Sequence, residues 1–217
     1  MAEERTAVLA AVQDHGAERR SLFLDVPGGI GFRPGQFLSC LLPVGGERLI
    51  RPYSIASSPA TPDRLELLLD RVPGGPGSGY LFAQPVGARL DFTGPWGTFV
   101  LDRAPEVEAV FVALGTGIAA IRPMVHRAAE GATHPLTLLY ATAQPIYREE
   151  LSAIPGLALD VVAPGAAEDE IRRRWLERDA DRTRQFFVCG VGDIVPRLRD
   201  LLRDAGYARR AVQYERW

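Results

Sequence analysis

Arg51, Tyr53 and Ser54 fall within the run Arg51-Pro52-Tyr53-Ser54-Ile55-Ala56-Ser57-Ser58 and together offer a cation, an aromatic ring and a hydroxyl. The run is predicted to follow a strand. Side chains alternate between the two faces of an extended segment. Arg51 and Tyr53 are therefore expected on one face, with the Ser54 hydroxyl and nearby backbone amides at its edge. A guanidinium fork suits a phosphate, and a tyrosine ring suits a flat conjugated partner. A flavin nucleotide carries both. An isolated Arg-x-Tyr-Ser is better explained as a buried hairpin tyrosine beside a surface arginine, so the remaining chain has to decide.

Two further stretches bear on that decision. Pro73-Gly74-Gly75-Pro76-Gly77-Ser78-Gly79 precedes Tyr80-Leu81-Phe82, where a short helix is expected with Ser78 as its N-cap. Glycines admit close backbone approach, and a helix start offers free amides to an anion. A flexible hairpin loop is the simpler account of this stretch taken alone. Gly115-Thr116-Gly117 with Ala120 lies between a predicted strand and a predicted helix, the context of a dinucleotide fingerprint. No acid stands about 20 residues on to hold a ribose, as an ordinary dinucleotide site would have; Ala141-Thr142-Ala143-Gln144 follows the second strand instead.

The elements that must position these groups divide into two patterns. Residues 6–12, 21–26, 37–42 and 65–70 read as short strands separated by turn signals such as Pro27-Gly28-Gly29 and Gly45-Gly46. Leu65, Leu67 and Leu69 share one face, with Glu66 and Asp70 opposite. This half is expected to form a small antiparallel barrel, closed by Gly94-Pro95-Trp96-Gly97. After a linker at 103–106, strands at 107–114, 136–140, 157–162, 185–189 and 211–214 alternate with helices marked by Ile118, Ile121 and Val125, by Ile171 and Trp175, and by Val195, Leu198 and Leu202. Such alternation implies a parallel sheet covered by helices.

Composition narrows the function classes. The chain has 217 residues, a hydrophobic share of 47% and a charged share of 24%, and a formal net charge of −2. This balance gives no electrostatic case for nucleic acid or an anionic membrane. The densest basic cluster, Arg172-Arg173-Arg174, reads as a solvated helix face. Met1-Ala2-Glu3-Glu4-Arg5 lacks the apolar stretch of a signal peptide, and no apolar run is long enough to span a bilayer. Cys40 and Cys189 cannot build a disulfide framework or supply the cysteines of an iron–sulfur cluster. His15, His126 and His134 lack metal-ligand spacing. The expectation is a cytoplasmic, soluble, metal-free polypeptide.

The ordered set of motifs resembles the ferredoxin–NADP reductase family, specifically its single-chain, FAD-containing NAD(P)H reductase modules. Phe32-Arg33-Pro34-Gly35-Gln36-Phe37 resembles that family's entry into the flavin barrel, and Arg51-Pro52-Tyr53-Ser54 its flavin motif. The resemblance implies that Arg51 binds the pyrophosphate, that Tyr53 packs on the isoalloxazine, and that Ser54 hydrogen-bonds near N5. Gly75-Pro76-Gly77-Ser78 is similar to its second phosphate loop. Gly115, Thr116 and Gly117 are similar to its pyridine-nucleotide loop, Cys189-Gly190 to the pair beside the nicotinamide, and Tyr214-Glu215-Arg216-Trp217 to its flavin-closing terminus. By this resemblance Ser54, Cys189 and Glu215 are the candidate catalytic residues. The implied organisation is a β plus α/β chain, with an antiparallel FAD-binding barrel over 1–103 and a parallel-sheet NAD(P)-binding domain over 104–217.

The implied reaction is hydride transfer from NADH or NADPH to FAD, then electron delivery to a separate acceptor protein such as a ferredoxin or an oxygenase component. Alternatives are a diaphorase that reduces free flavin, and a low-turnover nucleotide-binding regulatory subunit. Dihydroorotate-dehydrogenase electron-transfer subunits are a related case, but that version carries a C-terminal cysteine cluster. Three departures stand out: Ala120 and Val191 occupy positions where relatives have proline, and no basic pair follows the second strand to grip a 2′-phosphate. Arg148 could reach such a phosphate or be a plain surface residue. The absence of a basic pair leans the reading towards NADH.

Overall fold

The computed structural model describes residues 3–217. The chain divides into two compact units, residues 1–100 and 101–217.

In the first unit, strands β1 (Arg5–Asp14), β2 (Arg19–Asp25), β3 (Phe37–Val44), β4 (Glu47–Ser54), β5 (Arg64–Asp70) and β6 (Arg89–Trp96) form one antiparallel sheet in the order β4-β3-β6-β1-β2-β5. An isolated antiparallel bridge from Ile55 to Leu67 draws the two edges together, which makes the sheet a nearly closed barrel. The β3–β4 hairpin turns at Gly45 and Gly46, whose φ values of 64° and 83° require residues at ease in the left-handed region. Leu65, Leu67 and Leu69 enter the barrel core with Leu22, Leu24, Leu38 and Phe92. Glu66, on the alternate face, is also buried, at 5% exposure. Alternation placed it correctly, but the barrel's outer face is not uniformly solvent-facing.

One helix interrupts the strands. α1 covers Pro76–Phe82 and begins two residues before Ser78. Ser78 is therefore not the N-cap: Gly75 occupies that position, with Pro76 at the start of the helix. Proline is pre-set for a first helical residue and has no N–H to leave unpaired, which moves the start upstream. The Ser78 hydroxyl instead accepts a hydrogen bond from the Val72 N–H at 3.0 Å and secures the preceding turn.

The second unit is a parallel sheet of β7 (Ala109–Leu114), β8 (Leu136–Ala141), β9 (Leu157–Val162), β10 (Gln185–Gly190) and β11 (Val212–Arg216), in the order β11-β10-β7-β8-β9. Helices α2 (Ile118–Ala129), α3 (Arg148–Ser152), α4 (Ala167–Ile171) and α5 (Ile194–Asp204) connect or cover the strands. Val110, Val112, Leu139, Phe186 and Val188 pack on one face with Ile171 and Trp175 and with Val195, Leu198 and Leu202 of α5. On the alternate face Phe111 and Phe187 stack at 5.1 Å between centroids. The strand order reverses direction between β7 and β10, so the loops after these two strands flank the topological switch point.

Arg172-Arg173-Arg174 lies in a π-helical turn that continues α4. Each of the three arginines is ion-paired, to Glu168, to Glu170, and to Glu170 and Asp160 respectively. That cluster is an internally compensated helix face. No helix of the described residues is long and apolar enough to cross a membrane.

Candidate functional site

Arg51, Pro52, Tyr53 and Ser54 lie inside β4 and do not follow a strand as expected, because β4 runs to Ser54. Its register against β3 pairs Arg51 with Cys40 and Tyr53 with Leu38. Residues opposite one another in an antiparallel ladder point to the same side, so Arg51 and Tyr53 share the face of two fully buried residues. Tyr53 is half-buried against the barrel core, and burial pushes its hydroxyl pKa up to about 12. Its ring is thus a fixed apolar surface with a neutral phenol. Arg51 is exposed and donates only to its own neighbour's carbonyl, Ile50 O, at 2.8 Å. Among the described residues no carboxylate pairs with it.

The start of α1 is built against that arginine. A Cβ on Gly77 would lie 3.0 Å from Arg51 Cγ and 3.4 Å from Leu42 Cδ1, so the missing side chain is what lets the helix start reach the Arg51 stem. The amides of Gly77 and Ser78 belong to the first turn and have no intrahelical acceptor. Gly75 is constrained as well, since a Cβ there would lie 2.8 Å from Val72 Cβ. Pro52 stands exposed on the opposite face from Arg51. Ser54 is 7% exposed, and its hydroxyl has no hydrogen-bond partner among the described residues. An unpaired cation beside free amides, a supported ring and a hydroxyl without a partner fit the pyrophosphate and ring system of FAD.

In the second unit the geometry is made by backbone. A Cβ on Gly117 would lie 2.1 Å from Cys189 O and 2.8 Å from Gly190 N. A Cβ on Gly190 would lie 2.5 Å from Leu114 Cβ. The turn after β7 and the end of β10 therefore touch main chain to main chain, and each needs glycine. Gly115 enters this turn at φ 57°, and Thr116 is half-buried beside it. The result is a close approach of backbone segments at the carboxyl ends of β7 and β10. It fits the extended pyrophosphate and nicotinamide of a dinucleotide, which need close backbone approach.

The C-terminus is tied to the same place. β11 extends through Glu215 to Arg216, two residues beyond the predicted strand. Trp217 N donates to Gly190 O at 3.0 Å, and Gly192 N donates to Trp217 O at 3.2 Å. Cys189 is fully buried and pairs in register with Glu215. Burial raises the Cys189 thiol well above its ordinary range, with the Glu215 charge adding to the rise. It is a neutral thiol, unsuited to nucleophilic attack. Glu215 Oε2 is enclosed without a hydrogen-bond partner, and burial raises its carboxyl to about 7. A carboxyl tuned to neutrality can hold or release a proton there.

One cluster has no counterpart in the sequence reading. Arg122 on α2 makes a bidentate pair with Glu150 on α3, Nε and Nη2 each donating at 2.8 Å. His126 Nε2 lies 2.6 Å from the same carboxylate. Burial acts to raise the Glu150 pKa, but hydrogen bonds from His126 and Arg122, together with their charge, hold it down at about 2. The Arg122 guanidinium also lies over the Tyr147 ring, 4.1 Å from its centroid. Tyr147, with φ 63°, is the one non-glycine residue of positive φ among the described residues. Arg148, next to it, is exposed and makes no ion pair among them. These residues are 24–28 positions apart, and no local spacing announces their meeting.

Comparison with known proteins accords with this geometry. Residues 9–101 match the oxidoreductase FAD-binding domain family. Ferredoxin--NADP reductase B of Sorangium cellulosum (strain So ce56) is 32% identical, over 100% of this chain and 98% of that protein. The ferredoxin reductase component of 3-ketosteroid-9-alpha-monooxygenase from Mycolicibacterium smegmatis is 29% identical over 91% of this chain, which spans only 61% of that relative. Among solved structures, the ferredoxin reductase in carbazole 1,9a-dioxygenase superposes with a TM-score of 0.86 at 22% identity, covering 99% of this chain and 69% of that one. A ferredoxin NADP+ reductase from Neisseria gonorrhoeae with bound FAD and NADP gives a TM-score of 0.81 at 19% identity, covering 100% and 99%. The first-unit barrel, the second-unit parallel sheet and the end-to-end relative agree: the chain belongs to the ferredoxin–NADP reductase family, as an FAD-dependent NAD(P)H oxidoreductase module.

Proposed function

We propose that the chain takes electrons from a reduced nicotinamide and delivers them to a separate iron–sulfur or oxygenase component. The supporting observation is the Arg51–Tyr53–Ser54 arrangement with Gly77 packed on the Arg51 stem. FAD, when bound, supplies the chemistry that couples a two-electron donor to one-electron acceptors. Arg51 and the first-turn amides of Gly77 and Ser78 neutralise and orient its pyrophosphate, and Gly75 sets the turn that aims them. Pro52 stiffens β4 between Arg51 and Tyr53, and Tyr53 supports the ring system. The Ser54 hydroxyl donates to, or accepts from, the reacting edge of that ring.

On the coenzyme side, Gly115, Thr116 and Gly117 cradle the nucleotide, and Gly190 permits its approach to the β10 end. Cys189, held neutral, shapes and polarises the nicotinamide position without forming a bond. Glu215 holds a proton beside Cys189 at the nicotinamide position, and Trp217, stapled to Gly190 and Gly192, fixes the terminal segment there.

The acceptor distinguishes this reading from its rivals. The purified FAD-loaded chain would be assayed with NADH or NADPH against three acceptors: a small iron–sulfur protein, an oxygenase component, and free flavin. Reduction of a protein acceptor well above the free-flavin rate is expected. Reduction of free flavin alone would make the chain a diaphorase.

A further inference from the structure

We propose that Glu150 sets the coenzyme choice, by holding Arg122 in a closed ion pair near the carboxyl end of β8 so that NADH, which has no 2′-phosphate, is favoured over NADPH. The inference rests on the coenzyme reading above and concerns a different part of the coenzyme from the nicotinamide. In a parallel sheet, ligands lie outside the carboxyl ends of the strands, and a nearby arginine is what accommodates a 2′-phosphate on the ribose. β8 is the strand next to β7, and its carboxyl end leads through Thr142 and Gln144 to Tyr147 and α3.

Two arginines are candidates for that role, and the structure treats them differently. Arg122 is committed on both sides: Glu150 grips it through two hydrogen bonds at 2.8 Å, and the Tyr147 ring covers it at 4.1 Å. A guanidinium closed into a fork with a carboxylate has lost the geometry and the net charge that a phosphate would use. Bringing a 2′-phosphate near that pair would also set a dianion against the Glu150 carboxylate. Arg148 is exposed and unpaired among the described residues; a single surface arginine gives only a weak, screened attraction. Thr142 and Gln144 form a local turn, with Gln144 N donating to Thr142 Oγ1 at 3.2 Å, and add no cation. With Glu150 neutralising Arg122 and Glu149 standing next to Arg148 in the chain, these residues gather no net positive charge for a 2′-phosphate.

The test is calorimetric binding of ADP-ribose and of 2′-phospho-ADP-ribose to the FAD-loaded protein, which needs no turnover. Wild-type protein should bind ADP-ribose at least about fivefold more tightly than its 2′-phosphate. Glu150→Gln, which frees the Arg122 charge, should erase or invert that ratio. The double variant Arg122→Gln with Glu150→Gln should restore it, because the released cation is gone. A wild-type preference for the 2′-phosphate would overturn the proposal, and this holds even if Glu150→Gln does not fold. A folded Glu150→Gln whose ratio stays within about twofold of wild type would also overturn it, leaving the cluster a brace between α2 and α3. If neither fragment binds and neither coenzyme bleaches the flavin, the coenzyme reading itself fails; binding of both with an unchanged ratio sinks only the role of Glu150.

Discussion

The two units build their candidate sites from different materials. In the first, the proposed recognition rests on side chains that the fold leaves available: the exposed Arg51, the half-buried Tyr53 ring, and the Ser54 hydroxyl. In the second, it rests on absent side chains. Gly117 lets the turn after β7 meet the main chain of β10, Gly190 leaves room for the Leu114 side chain, and of the titratable groups there Cys189 is buried and Glu215 has an enclosed Oε2. A site of the first kind can be dismantled one group at a time with the fold intact. A site of the second kind is continuous with the packing of its sheet, so most changes to it are also changes to stability.

The largest expected effect comes from Gly117→Ala. The added methyl would sit 2.1 Å from Cys189 O, and backbone atoms cannot swing aside as a side-chain tip can. Thermal unfolding should show a loss of about 3 kcal/mol or more, in line with severe overpacking, together with loss of coenzyme binding. Near-wild-type stability would mean that β10 and the turn after β7 do not meet as closely as described.

Arg51→Ala makes the opposite case. Arg51 forms no ion pair among the described residues, so unfolding should move by less than about 0.5 kcal/mol. FAD affinity should fall by about tenfold to a hundredfold, the weight of charge-assisted hydrogen bonds to phosphate. Equal affinity in a fluorescence titration of apoprotein would remove Arg51 from the site.

Glu215→Gln gives a smaller effect with a definite sign. The folded pKa of about 7 stands above the ordinary 4.5. Between those values the folded state keeps a proton that the unfolded chain has released. Stability should therefore decline as pH rises from about 4.5 to about 7, then level off. Glu215→Gln should flatten this decline when melting temperature is followed across the same window. An unchanged slope would place the cause elsewhere.

These contrasts also explain what the sequence made legible. The barrel strands and the parallel-sheet strands follow local hydrophobic periodicity and Gly-rich turns, and they lie within a few residues of where pattern places them. Arg51, Tyr53 and Gly115 to Gly117 stood out as candidates because chemistry and spacing are local there. Ser78 was misread as a cap because Pro76 competes for the helix start, and Gly75 takes the cap position. The burial of Glu66 depends on what covers the barrel's outer face, which alternation does not encode. The need for glycine at 117 and 190 shows only when β7 and β10 lie side by side. The Arg122–Glu150–His126 cluster is likewise a product of tertiary packing, joining α2 to α3.

The most direct test of the central claim is anaerobic stopped-flow absorbance of the FAD-loaded protein, mixed separately with NADH and with NADPH. Rapid loss of the oxidised-flavin band is expected, faster with NADH, with slower bleaching in Ser54→Ala while FAD stays bound. Protein that retains no flavin, or flavin that neither coenzyme bleaches, would contradict the claim.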